Sequence, residues 1–202
     1  MAEKRVTKRK IQAEETKQKI YEAAIELIEK QGFDNITIQG INEQAGVSVG
    51  TFYHYYKSKE DVFFELYRKA DEYFKTEVFP LLETGDLSSS EKIVLFFRKY
   101  ALYNLGNGLE YVSQLYNTKN KFFVAKGRYM LELMQYLISK GQQKGEIKSD
   151  MTPREMADFL FTFGRGVVFD WCLHDGSYDL EERMKIDFQR LLPVFMVPHL
   201  TG

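Results

Sequence analysis

The sequence predicts an all-α chain, with an N-terminal three-helix head holding a helix-turn-helix and a C-terminal helical-bundle body. Apolar residues recur at helical spacing through most segments, and no strand pattern competes. The stretch ITIQGINEQAGVSVGTFYHYYKSK, residues 36–59, reads as two short helices around a tight turn. Beyond the head, Gly106, Gly108, Gly141, Gly145, Pro153 and Gly176 cut the chain into helix-length pieces.

The first helix is expected from about Glu15 to Gln31, with Ile20, Ala23, Ala24, Leu27 and Ile28 as its apolar stripe. Gly32 and Phe33 read as a stop, glycine taking the left-handed conformation while the phenylalanine folds back toward Ile28. Thr37 caps the next helix, which buries Ile38, Ile41 and Ala45. Gly46 then leaves that helix, Val47 covers the joint and Ser48 caps the second helix of the pair. Phe52 and Tyr56, one turn apart, face inward there. Val49, Gly50, Thr51, Tyr53, His54 and Tyr55 remain outward, a set better suited to groove and phosphate contacts than to a core.

Ser58 and Asp61 resemble a capping pair opening a long amphipathic helix through Val62, Leu66, Ala70 and Tyr73 toward Pro80. The stretch from Glu83 to Ser90 breaks the pattern. Helices are expected near 91–106, 109–117, 120–144, 153–174 and 180–196. The domain plan is therefore a flexible basic arm over 1–14, a helix-turn-helix domain over 15–60 and an all-helical domain over 61–202.

With 202 residues, 44% of them hydrophobic, the chain can bury a sizeable core or two smaller ones. Its N-terminus is charged, and no apolar run reaches the roughly 18 residues of a bilayer span, so a cytoplasmic protein without a membrane partner is expected. The net charge of −1 conceals an uneven distribution. Residues 1–12 set Lys4, Arg5, Lys8, Arg9 and Lys10 against Glu3, and residues 36–59 set Lys57 and Lys59 against Glu43. The basic N-terminus reads equally as a solvated leader and as an arm that orders on DNA. Cys172, the single cysteine, sits between Trp171 and Leu173 and reads as packing. His54, His174 and His199 lie far apart without metal-ligand spacing, and Cys172 and His174 diverge on a helix. No catalytic residue, metal or cofactor is expected.

The segment TKQKIYEAAIELIEKQGFDNITIQGINEQAGVSVGTFYHYYKSKEDVFFELY resembles the N-terminal head of the TetR, or tetracycline-repressor-like, family of transcriptional regulators. The likeness rests on Gly32-Phe33, Thr37, Ala45-Gly46-Val47-Ser48, Gly50, Tyr53 and Lys57-Ser58-Lys59-Glu60, and it spans roughly Thr16 to Tyr67. It implies that Gln39, Val49, Gly50, Thr51 and His54 lie near base edges. Their chemistry agrees: Gln39 can pair bidentately with adenine, His54 donates or accepts, and the methyls of Val49 and Thr51 suit a thymine methyl. Tyr53, Tyr55 and Lys59 are assigned to phosphates, as is the helix start opened by Thr37, with Ser48 completing the DNA-binding set.

The resemblance further implies a homodimer on double-stranded DNA, a repressor released from a palindromic operator by a small-molecule effector. The family's linker helix joins head to body. For the effector, expected to be apolar or aromatic, Tyr103, Asn104, Tyr129, Phe163 and Arg165 are the pocket candidates. Arg165, inside the apolar run FLFTFGRGVVFDW, requires a partner: either a carboxylate such as Asp158 or Asp170, or an anionic effector. The last two helices carry more apolar surface than a thin bundle covers, so Val167, Trp171, Phe188, Leu191, Leu192 and Phe195 are expected at a subunit interface, with Gly164 and Gly166 allowing close approach. The alternative is a helical ligand-binding or partner-binding module with no DNA role.

Overall fold

The computed structural model describes residues 8–84, 86–116, 123 and 127–198, except for the Phe63 side chain. Among these residues the structure is helical, and one isolated antiparallel bridge pairs Ile147 with Met196. Contacts divide the chain into two compact units, Met1–Arg68 and Lys69–Gly202.

In the first unit, α1 runs over Lys8–Gln31. Its start corrects the expected arm: Lys8 to Glu14 form helical turns, because KRKIQAE contains good helix formers and no breaker. The rest of the arm, with Lys4 and Arg5, lies outside the described residues. A 3-10 turn over Phe33–Asn35 leads to α2, Ile38–Ala45, and α3, Val49–Tyr55. Ile20, Ala24, Ile28, Ile36, Ile41, Phe52 and Tyr56 form the core. Gln44 Nε2 donates to Glu26 Oε2 over 2.7 Å, tying α2 to α1. α4, Lys59–Tyr73, begins in this unit, where Glu65 pairs with Lys17 at 3.0 Å.

α4 passes through a π-helical turn, Phe74–Val78, into α5, Phe79–Glu83, where Pro80 stands in the first turn. A proline there withholds one N–H from the helical ladder. The second unit continues with α6 over Ser89–Asn107, α7 over Leu109–Leu115, α8 over Tyr129–Gln143, α9 over Pro153–Leu173 and α10 over Leu180–Leu191. Ser88 with Glu91 and Thr152 with Glu155 form capping boxes, each satisfying orphan N–H groups at a helix start. Helix α6 packs on α8 and α10, and α9 on α8, α10 and α7.

Aromatic rings fill the centre of this unit. Phe97 stacks on Phe188 with centroids 3.9 Å apart and meets Phe161 edge-on at 5.5 Å. The site exists because Gly164 lacks a side chain: a Cβ there would lie 2.8 Å from Phe97 Cε1. Its space is thus taken by a ring of the same chain, whereas a Cβ on Gly166 would meet nothing within 4 Å. In the first unit both side-chain polar atoms of buried Asn42 lack a hydrogen-bond partner among the described residues.

Three substitutions test this packing. Gly164→Ala should lower unfolding free energy by about 1–3 kcal/mol through overpacking against the ring, while Gly166→Ala should be neutral or stabilising; denaturant unfolding monitored by helix ellipticity compares them. Asn42→Ala should raise stability by about 1 kcal/mol in the same assay, because it removes a desolvated, unpaired amide and adds a better helix former.

Candidate nucleic-acid interface and effector site

The turn between α2 and α3 is set by three residues. Thr37, with extended backbone, accepts from Gly40 N at 3.0 Å and so starts α2. Gly46 ends it in the left-handed region at φ 65°, and the N–H of Val47 reaches back to Asn42 O at 3.0 Å. Ser48 Oγ accepts from Thr51 N at 3.1 Å, opening α3, and pairs with Thr51 Oγ1 at 2.8 Å. A β-carbon at position 46 would be strained, which is why the turn uses glycine.

This arrangement sorts α3 by face. Phe52 and Tyr56 are buried, and Tyr56 OH donates to Lys17 O at 3.4 Å. Burial pushes the Tyr56 phenol well above its ordinary pKa. Val49 and Tyr53 are 55% and 54% exposed and, one turn apart, put an apolar and an aromatic side chain on the same outer face of α3. Gly50 and His54 are also exposed, Thr51 and Tyr55 half-buried, and the His54 and Tyr55 rings meet edge-on at 4.8 Å. Gln39 is exposed on α2, where its Nε2 donates to Glu43 Oε1 at 2.9 Å. The two helices thus expose a mixture of hydroxyl, amide, imidazole and methyl groups, the chemistry that reads base edges and phosphate oxygens.

Lys59 departs from expectation. Its ammonium donates to the carbonyls of Phe33, Asp34 and Ile36 at 3.1, 3.3 and 3.1 Å, and lies 4.8 Å from the Phe33 ring centroid. Three donors matched to three carbonyls give it a structural post, not a phosphate contact. Lys57, two residues earlier, is exposed at the end of α3. Sequence reasoning named both lysines but had no local signal for which one turns inward.

In the second unit a polar network crosses the aromatic interior. The hydroxyls of Tyr100 and Tyr116 lie 2.6 Å apart, and Asn104 Nδ2 donates to Tyr100 O at 2.8 Å. The Tyr116 ring meets that of Phe123 at 4.8 Å. Arg165 Nη1 reaches Phe123 O at 3.5 Å, its guanidinium 5.9 Å from that ring, and its Nη2 donates to Thr162 Oγ1 at 3.0 Å. Burial raises the Tyr100 pKa, with Asn104, Tyr116 and the Arg165 charge opposing it. Asn104 and Arg165 are therefore joined through α6, α7 and α9. The carboxylates expected for Arg165 are engaged elsewhere: Asp158 lies 3.8 Å from Arg154, and Asp170 accepts from Tyr178 OH at 2.9 Å.

The other pocket candidates stand apart from that chain of contacts. Tyr103 packs on Tyr73 at 5.2 Å, and burial moves its phenol up to about 12. Phe163 meets Phe188 edge-on at 5.2 Å, and half-buried Tyr129 opens α8. Beside them is an ion pair with no signature in the sequence: Arg128 Nε donates to Asp71 Oδ2 at 2.8 Å, while Met130 N donates to Asp71 Oδ1 at 3.2 Å. It fastens the end of α4 to the start of α8.

The expected interface residues are corrected by burial. Val167, Trp171, Phe188, Leu192 and Phe195 are in the core of their own unit, and Leu191 is half-buried. Exposed apolar side chains lie one step around α9, at Phe159, Phe169 and Leu173, and in the tail at Val194 and Val197. Cys172 is half-buried and burial pushes its thiol up to about 11, leaving little thiolate near neutrality. No cluster of metal-ligating side chains occurs among the described residues, and none of their helices is long and apolar enough to cross a membrane.

Residues 20–66 match the family model of bacterial regulatory proteins of the tetR family, and residues 116–193 match that of the C-terminal region of YsiA-like proteins. The fatty acid metabolism regulator protein of Bacillus subtilis (strain 168) is 28% identical over 170 residues, 80% of this chain and 86% of that protein. The HTH-type transcriptional repressor DhaR of Mycobacterium sp. (strain GP1) is 21% identical over 185 residues, 88% of this chain and 92% of that protein. The crystal structure of the transcriptional regulator FadR from Bacillus subtilis in complex with stearoyl-CoA superposes with a TM-score of 0.73 at 25% identity, over 85% of this chain and 95% of that one. The helix-turn-helix unit and the helical body are thus each matched within one group, and the chain belongs to the tetR family of transcriptional regulators.

Proposed function

We propose that this regulator is a homodimeric repressor that binds a palindromic operator through α2 and α3 and is released by a long-chain acyl-CoA. The observation that carries the DNA part is the exposed face of α3, where Val49, Tyr53 and His54 stand in solvent while Phe52 and Tyr56 anchor the helix. Gln39, Val49, Gly50, Thr51 and His54 are the base-reading set. Thr37, Tyr53 and Tyr55 hold phosphates, Ser48 positions the helix, and Lys57 takes the phosphate role first given to Lys59.

The acyl-CoA assignment draws on the relative named for fatty acid metabolism and on the solved relative with stearoyl-CoA. The body of this chain supports it chemically. Phe96, Phe97, Phe161 and Phe188 offer an apolar interior, and Tyr100, Tyr116, Asn104 and Arg165 place hydroxyl, amide and guanidinium donors beside it. A long chain ending in a thioester carbonyl needs that combination. The effector acts by its differential affinity for the DNA-bound and released conformations.

Dimerisation uses the exposed face of α9 around Phe159, Phe169 and Leu173. A symmetric pair then presents two copies of α3 to successive major grooves.

The DNA reading predicts that the purified protein enriches one palindrome from a genomic fragment pool, with affinity falling steeply as salt rises. His54→Ala should lose that enrichment; sequence-independent retention shared by wild type and variant would defeat the reading. Stearoyl-CoA, but not free CoA, should release the recovered fragment in a fluorescence anisotropy titration. Leu173→Lys should weaken self-association roughly tenfold or more in sedimentation equilibrium, while the helical content stays unchanged.

A further inference from the structure

Gln39 and Glu43 occupy successive turns of α2, both exposed, and face opposite to buried Ile41. The Gln39 amide nitrogen donates to Glu43 Oε1 over 2.9 Å. For a base-reading glutamine this bond has a chemical consequence. A primary amide turns easily about its last torsion, so an unsupported glutamine offers its donor and acceptor to a base in either order. A carboxylate only accepts, so the nitrogen must lie on the Glu43 side. That nitrogen carries two hydrogens: with the one anti to the carbonyl oxygen given to Glu43, the other stands beside that oxygen along the outer edge of the amide. The outer edge is then a fixed donor and acceptor pair. It complements N7 and the N6 amino group of adenine in the major groove, whereas guanine offers two acceptors there.

We infer that Glu43 is a positioning residue for Gln39, holding its amide in one orientation so that α2 selects adenine at one position of each half-site. The inference rests on the DNA-binding reading proposed above. Glu43 touches no base in this role, and its negative charge opposes nearby phosphates, so removing the charge by itself raises affinity for any DNA. Charge and orientation therefore separate experimentally, because E43Q keeps an acceptor oxygen for the Gln39 amide while losing the charge.

The test is binding of the full-length protein and of E43Q, E43A, Q39A and the Q39A/E43A double variant to a randomised operator pool, with bound sequences read at two salt concentrations. E43Q is expected to keep the adenine preference. E43A and Q39A each lose it by roughly tenfold at the same position, the double variant loses no more than Q39A, and preferences elsewhere in the site are unchanged. E43Q and E43A behaving alike, or E43A keeping the preference, would overturn the inference while leaving DNA binding intact. Wild type that enriches no sequence would overturn the DNA reading and this inference together, a result recognisable before any variant is compared.

Discussion

Three main-chain carbonyls, from Phe33, Asp34 and Ile36, converge on the ammonium of Lys59. Carbonyls at the end of one helical segment and before the next have no partner in their own ladder, and each needs a donor from elsewhere. Lys59 supplies all three from the first turn of α4. The connection between α1 and α2 is thereby closed on itself and fastened to α4. Thr37 follows Ile36 directly, so the position at which α2 begins, and with it the direction of the turn into α3, inherits this anchor. The exposed groups of α2 and α3 have a defined geometry because an interaction behind them has no freedom left.

The two units reach stability by different means. The body relies on close ring packing around Phe97, Phe161 and Phe188, admitted by the missing side chain at Gly164. The smaller unit packs Ile20, Ala24, Ile28 and Ile41 around Phe52 and Tyr56 and tolerates an unpaired amide at Asn42 within that core. A small unit buries a smaller fraction of its surface, so each unsatisfied group weighs more heavily there. Local opening is expected to begin in the DNA-binding unit, where a reading surface must also adjust to its target.

Local chemistry was legible in the sequence and tertiary choice was not. Thr37, Gly46 and Ser48 set the turn through bonds to residues at most five positions away, so residue type and spacing sufficed to recognise them. Lys57 and Lys59 have identical chemistry two positions apart, and the arrival of the Phe33 to Ile36 carbonyls distinguishes them. Arg165 was recognised as requiring partners, but neutral groups at Thr162 and Phe123 meet that need instead of the carboxylates expected. On α9 and the following helix, hydrophobicity selected Val167, Trp171 and Phe188, residues that the body itself buries. An apolar stripe wider than one contact face cannot reveal from its own sequence which edge remains outside.

The π-helical turn at Phe74–Val78 accounts for an arithmetic feature of the long helix through α4 and α5. Val62, Leu66, Ala70, Phe74, Val78 and Leu82 are all buried, at a strict interval of four residues. In a straight α-helix four residues overshoot a turn by about 40°, so such a series winds steadily around the axis. A π-turn holds about 4.4 residues, and across it four residues fall short of a full turn by about 30°. The overshoot is cancelled locally, and the last members of the series stay aligned with one another. Removing one residue from the π-turn would restore the α-helical count yet move Leu82 by only about 30°, because three α-helical steps turn about 300° where four π-helical steps turn about 330°, so the π-turn lets the helix carry one extra residue while its buried edge keeps nearly the same direction.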